Sequence, residues 1–212
     1  MKPYQKQSPT KEEALGKPGA LFINFAGAAL AYRLRAGARE PLLAALGRRQ
    51  LNDPPLVDAT AGLGRDAFIA AAAGFEVTMI ERVPEAHHAL AAALERARAG
   101  DDDRTAAAAA RMSLIFGDAR TLLPRLAPQV ALVDPMHPER RKTALVKLAM
   151  RRLKEIAGPG EDASELINVA LRATRRRVVL KWPAKAPLPA GVPAPTYELP
   201  GRTIRFVVYA RD

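Results

Sequence analysis

The sequence predicts an α/β fold: a doubly wound, mostly parallel sheet with helices on both faces and an antiparallel hairpin at its C-terminal end. Three observations carry this. Short apolar runs alternate with alanine-rich stretches of helical character, the pattern of successive strand–helix units. Four of those runs end in a carboxylate, at Asp58, Glu81, Asp118 and Asp134. Near the C-terminus, Tyr197-Glu198-Leu199 and Thr203 to Tyr209 flank Pro200-Gly201 and read as two strands about a tight turn.

The elements follow in order. Residues 1–20 contain Pro3, Pro9 and Pro18 and read as a loosely held arm. Leu21 to Phe25 reads as a short strand, and Glu40 to Leu46 as a short amphipathic helix. Residues 1–50 thus form an arm and a small helical and strand extension, and residues 51–212 the main domain. Asn52-Asp53-Pro54-Pro55 stops the helix and leads into Leu56-Val57-Asp58, the first strand of that domain. A turn with Gly62 and Gly64 follows, then a helical run from Ala67 to Ala73. Val77 to Glu81 is the next strand, Pro84 to about Ala99 a helix, and Gly100 to Asp103 a turn. Ser113 to Asp118 and Val130 to Asp134 are further strands. Helices are expected over residues 139–157 and 162–174, and a fifth parallel strand from Arg177 to Trp182. The proline-rich segment 183–195 cannot be helical.

Composition narrows the chemistry. The 212 residues include no cysteine, which removes disulfides, thiolate metal sites and cysteine nucleophiles. Three histidines, two of them adjacent, argue against a histidine-built metal site, so no metal is expected. No apolar run reaches the length of a membrane span, and the first residues lack a signal-peptide core, so no membrane partner and a cytoplasmic location are expected. The formal net charge of +11 points to a polyanionic partner, above all nucleic acid.

In an open parallel sheet, ligands bind at the carboxyl ends of the strands, so the four carboxylates are expected to converge on one crevice. Glu81 follows the glycine turn by about twenty residues, the distance at which an acidic residue meets both hydroxyls of a ribose. Asp118 can accept from an adenine amino group, and Asp58 can hold a cationic amine or orient the turn. Gly62-Leu63-Gly64-Arg65-Asp66-Ala67 satisfies the G-x-G-x-x-A dinucleotide fingerprint, which leaves a nicotinamide-dependent oxidoreductase open. Asp58 and Asp66 nonetheless flank the turn with negative charge, which suits a cationic ligand without phosphate, S-adenosylmethionine, better than a pyrophosphate. A catalytically silent RNA-binding module on the same fold is a third reading.

Asp134-Pro135-Met136-His137-Pro138 is the second signal. It resembles the Asp/Asn-Pro-Pro-aromatic motif of methyltransferases that modify exocyclic amino groups of bases. Such an amine is a poor nucleophile because its lone pair is conjugated into the ring. A carboxylate and a carbonyl fixed by proline can accept its two hydrogens and restore the lone pair, with no need of a metal. Asp134, Pro135 and His137 are the candidate catalytic residues.

From about Leu21 to its end, the sequence resembles the bacterial family that methylates the 2-amino group of a guanine in 16S ribosomal RNA. The resemblance is carried by Val57 to Asp66, by Asp134-Pro135-Met136, and by Lys142-Thr143-Ala144-Leu145-Val146-Lys147. It implies a Rossmann-like class I methyltransferase fold with a seven-stranded sheet. It also implies donor contacts at Arg65, Asp66, Glu81, Arg82, Asp118, Ala119 and Asp134, beside the turn residues Asp58, Gly62 and Gly64. The family usually carries Phe where this chain has His137, and a histidine can also stack on a base.

The basic residues fit an RNA partner, either ribosomal RNA or the small subunit that contains it. Arg140, Lys147, Arg151 and Lys154 share one face of the expected helix after Pro138. Arg172, Arg175, Arg176, Arg177 and Lys181 form a second cluster, and Arg33, Arg35 and Arg39 a third. Such residues position RNA through its phosphates without reading its sequence. Trp182 and Tyr209 are expected in the core, and His87 and His88 at the surface.

Overall fold

A computed structural model describes residues 21–47, 55–135 and 163–211. Two helices come first, α1 (Ala28–Ala36) and α2 (Pro41–Leu46). The sheet unit then runs β1 (Leu56–Asp58), α3 (Arg65–Ala72), β2 (Val77–Glu81), α4 (Pro84–Ala99), α5 (Asp103–Ala110) and β3 (Met112–Phe116). It continues through α6 (Ala119–Leu126), β4 (Val130–Val133), α7 (Ala163–Ala173), β5 (Arg177–Pro183), β6 (Tyr197–Leu199) and β7 (Ile204–Ala210).

The described strands make one seven-stranded sheet in the order β3-β2-β1-β4-β5-β7-β6. β1 to β5 pair in parallel. β7 runs antiparallel between β5 and β6, so the expected hairpin closes one edge. From β1 the chain winds outward to β2 and β3, then returns to β4 on the other flank. The strand order reverses there, and that reversal opens a crevice at the carboxyl ends of β1 and β4.

The central strands are apolar throughout because both faces are covered, as parallel sheets require. Successive side chains alternate between two cores. Leu56, Val77, Met79, Leu132 and Val179 join one core with Leu42 of α2, Phe68 of α3 and Leu90 of α4. Val57, Ile80, Ala131, Val133 and Leu180 join the other with Leu123 of α6 and Ile167 of α7. Trp182 and Tyr209 belong to this second core, as expected, and their polar ends donate to the carbonyls of Pro187 and Pro193, each at 3.0 Å.

Four stretches depart from the sequence reading, α1 and α6 among them, which form where the pattern gave no element. Leu21 to Phe25 is not a strand. Asn24 Oδ1 accepts the Ala26 N–H at 2.9 Å and turns the chain, while Phe25 stacks on Phe68 with ring centroids 4.8 Å apart. The apolar residues here serve packing and not a ladder. Residues 103–110, given no element by pattern, form α5: Asp102 caps it by accepting the Thr105 N–H at 3.2 Å. The helix expected over 139–157 lies outside the described residues. Among the described residues no helix is long and apolar enough to cross a membrane.

Candidate functional site

The glycine turn is fastened to β2 by a carboxylate. Glu81, 5% exposed at the end of β2, accepts the Gly62 N–H on Oε2 and the Val83 N–H on Oε1, both at 2.8 Å. Burial raises its pKa, and those two N–H groups offset the rise in part. Gly64 sits at φ +66° where the turn dips into the core. A Cβ there would lie 2.7 Å from Leu90 Cδ2 and 3.2 Å from Phe25 Cζ, so both conformation and space demand glycine. The side of Gly64 that a Cβ would occupy is thus filled by Leu90, Phe25 and Met79.

Asp134 leaves the end of β4. Its N–H donates to Thr60 Oγ1 at 2.6 Å, which ties it to the same turn. Parallel pairing sets Val133 beside Leu180, so the next residue on each strand is also adjacent. Accordingly, Lys181 Nζ donates to Asp134 Oδ2 at 2.7 Å and to Asp66 Oδ2 at 2.7 Å. Asp66 Oδ1 in turn accepts from Arg33 Nη1 at 2.5 Å, and Arg33 Nη2 donates to Glu40 Oε1 at 2.6 Å. Five side chains of alternating sign thus run from α2 to the end of β4. Burial alone would disfavour the charges of Arg33, Asp66 and Lys181, but their partners win. Lys181 stays above its ordinary pKa through Asp134 and Asp66, and Asp66 below its own through Lys181 and Arg33.

Asp118 sits one strand further out. It caps α6 by accepting the Arg120 N–H at 2.8 Å, and pairs with the Arg120 guanidinium at 2.6 Å, which holds its pKa below the ordinary range. The Gly117 N–H donates to the Glu81 carbonyl at 3.1 Å, so the ends of β2 and β3 are joined. Ala119 is buried at the start of α6, Arg65 is half-buried at the start of α3, and Arg82 is exposed beside Glu81. Pro135 is buried after Asp134.

All four strand-end carboxylates stand along the carboxyl edge of the parallel strands. Asp58, Asp66 and Asp134 are near enough to act on one another electrostatically. His137, Arg140, Lys147, Arg151 and Lys154 lie outside the described residues. The two other basic clusters are thinner than their sequence suggests. Arg177 is buried and donates to the Ala45 carbonyl at 3.1 Å and to Tyr197 Oη at 3.2 Å. Lys181 and Arg33 belong to the ion chain, while Arg172, Arg175 and Arg176 remain exposed. Lys181, read from sequence as one more phosphate contact, is the site residue that pattern missed. Setting the ends of β4 and β5 side by side would have found it.

Asp58 carries a pH dependence. It is 3% exposed, and burial pushes its carboxyl up to about 7 against the Thr60 N–H it accepts at 3.0 Å. Asp66 and Asp134 push the same way. The folded protein thus holds this proton more tightly than the unfolded chain does. The group's contribution to stability is fully present below about pH 4 and is lost as pH rises through about 7. Asp58→Asn, which does not titrate, is expected to outlast the parent in denaturant melts by a margin that grows from pH 4 to pH 7. The margin should reach about 2–4 kcal/mol and stay flat above pH 7. A margin independent of pH would refute the assignment.

The side chains at this rim are hydrogen-bond acceptors: Glu81 at the end of β2, Asp118 beyond β3, and an acidic cluster at Asp58, Asp66 and Asp134. That set fits a ligand whose polar edges are hydroxyls, amines and a sulfonium. Among the described residues no group of histidines and carboxylates is arranged to hold a metal ion.

Sheet order, switch-point crevice and acceptor set together define a Rossmann-like, class I S-adenosylmethionine-dependent methyltransferase architecture. A crystal structure of an S-adenosylmethionine-dependent methyltransferase from Neisseria gonorrhoeae shares it with a TM-score of 0.70, at 31% identity, over 89% of this chain and 74% of that one. Residues 5–211 match the family model described as "Putative SAM-dependent methyltransferase", and the chain belongs to that family. The relatives it resembles bear the name ribosomal RNA small subunit methyltransferase J. One, from Rhodopseudomonas palustris, is 50% identical over 191 residues, covering 89% of this chain and 93% of its own length. Another, from Pseudomonas aeruginosa, is 41% identical over 199 residues, covering 92% of this chain and 75% of its own. The dinucleotide reading of the glycine turn is set aside by this membership.

Proposed function

We propose that this chain transfers a methyl group from S-adenosylmethionine to the exocyclic 2-amino group of a guanine in small-subunit ribosomal RNA, in the cytoplasm. The observation that supports it most is Asp134 itself, fixed at the switch point between the Lys181 ammonium and the glycine turn. The names of the relatives bring the RNA class, and the resemblance at Asp134-Pro135-Met136 brings the amine.

In this reading Glu81 accepts from the ribose hydroxyls through its remaining lone pairs, with the Gly62 and Val83 N–H groups already holding its two oxygens in place. Asp118 accepts from the adenine amine, flanked by Arg82 and Ala119, and Arg65 and Asp66 border the amino-acid end with Asp58 behind them. The donor, when bound, supplies an electrophilic methyl on a sulfonium. Asp134 accepts a hydrogen bond from the target amine, and the backbone made rigid by Pro135 accepts the second. The nitrogen lone pair is thereby turned toward the methyl, the N–C bond forms as the sulfur–methyl bond breaks and its electron pair returns to sulfur, leaving a neutral thioether, and one amine proton passes to Asp134 or to water. Orientation and electrostatics supply the rate. His137 is proposed to stack on the base, and Arg140, Lys147, Arg151 and Lys154 to hold RNA phosphates.

Mapping of methylated nucleotides in ribosomal RNA from cells lacking the protein tests this. One guanine of the small-subunit RNA is expected to lose its N2-methyl group and regain it on complementation. An unchanged RNA would refute the proposal.

A further inference from the structure

Lys181 and Arg33 do more than pair with carboxylates: both also line a cavity of about 340 Å³. The cavity lies on the far side of Asp134 from Glu81 and Asp118. Those two residues follow β2 and β3, whereas the cavity stands beyond β5, against Phe206 of β7 and the turn that joins β6 to β7. Its volume is in the range of small-ligand sites. Three features describe what it could take. The exposed Pro200 and the half-buried Leu199 and Ile204 offer apolar surfaces suited to the flat face of a ring. Its charged side chains bear both signs, the Glu40 carboxylate beside the Arg33 and Lys181 cations, which suits a base edge carrying donors and acceptors together. The exposed Arg202, on the turn, can reach a phosphate.

We propose that this cavity is the acceptor pocket, which receives a purine base unstacked from RNA and delivers its exocyclic amine to Asp134 from the side opposite the methyl donor. The inference rests on the reading of Asp134 as the transfer carboxylate. Its energetic logic is that of enzymes that act on a base by taking it out of the stack: the lost stacking is offset by a fitted slot. Lys181 is common to the slot and to Asp134, so a base seated there lies one side chain from the transfer point.

Two substitutions on the exposed turn test this without touching the core. Thr203→Trp places an indole in the slot, and Arg202→Glu reverses the charge on the turn. Each is assayed with assembled small subunits and with naked small-subunit RNA from cells lacking the protein. Donor binding is followed by calorimetry and folding by thermal melting. Thr203→Trp is expected to lower kcat/KM for RNA by at least about tenfold, with the donor Kd within about twofold of the parent. Arg202→Glu is expected to raise KM for RNA and to leave kcat and the donor Kd unchanged. If Thr203→Trp folds and matches the parent in kcat/KM while Asp134→Ala is inactive, the slot is not the acceptor pocket and the transfer reading stands. If Thr203→Trp disturbs folding, unchanged RNA affinity in Arg202→Glu overturns the proposal instead. Retained transfer by Asp134→Ala overturns both.

Discussion

Replacement of Asp134 by alanine is expected to lower kcat for methyl transfer by at least about 10³-fold while the donor Kd moves by no more than about threefold. The magnitude follows from the role. A conjugated amine reacts only when its hydrogens are held so that the lone pair faces the methyl group. Loss of one preorganised group aimed at developing charge costs on the order of 10²–10³-fold, and misorientation of the amine adds to it. Donor binding persists because, Asp134 itself aside, the groups proposed to hold the donor stand at the ends of β1, β2 and β3. The fold persists because Lys181 keeps its second partner, Asp66, at 2.7 Å. Single-turnover assays and calorimetry on the same preparation separate the two quantities. Transfer at the parent rate, or a donor Kd that rises in step with the loss of kcat, would sink the assignment.

Lys181→Met is expected to lower kcat at pH 7 by about 10²-fold, with partial recovery at higher pH, while Lys181→Arg keeps most of the activity. Among the described residues, the charged groups gathered about Asp134 include Lys181 on β5, which donates to it, and Asp66 at the start of α3 and Asp58 at the end of β1. Removing the ammonium leaves carboxylates facing a carboxylate, so Asp134 takes up a proton more readily and the rate gains an acid limb. Donor binding is not expected to weaken, since the rim loses a positive charge and the donor is a cation. A purely structural lysine would give a fall in rate without any change in the shape of the pH profile, and that result would refute the positioning role.

Much of this site is legible in the sequence because strand ends are local events. Leu56 to Asp58 and Val77 to Glu81 stop being apolar where the sheet stops, and the carboxylates at those points are at the rim in the structure. The glycine turn is legible for a similar reason: Gly64 adopts a backbone conformation that other residues resist. What pattern does not carry is pairing across the fold. Lys181 stands among arginines in the chain, and its partners Asp66 and Asp134 are 115 and 47 residues away. The charge of Arg33 likewise reads as a surface contact until α1 is set against α3. Arg177 misleads in the same manner, since its guanidinium spends its hydrogen bonds on Ala45 and Tyr197 inside the protein. Residues 21–25 failed for the opposite reason. A short apolar run says only that something is buried, and Asn24 decides that the chain turns there.

The alternating chain from Glu40 to Asp134 also constrains how the protein can be altered. Each interior member separates two groups of like sign: without Asp66, Arg33 confronts Lys181, and without Lys181, Asp66 confronts Asp134. A single neutral replacement therefore creates repulsion where there was attraction, in surroundings that screen it poorly. Tolerable redesign has to remove neighbouring opposites together, Arg33 and Glu40 for instance, so that Asp66 keeps Lys181 and no two like charges meet. An engineer reshaping the slot beside it is confined to its outer lip at Pro200, Arg202 and Thr203.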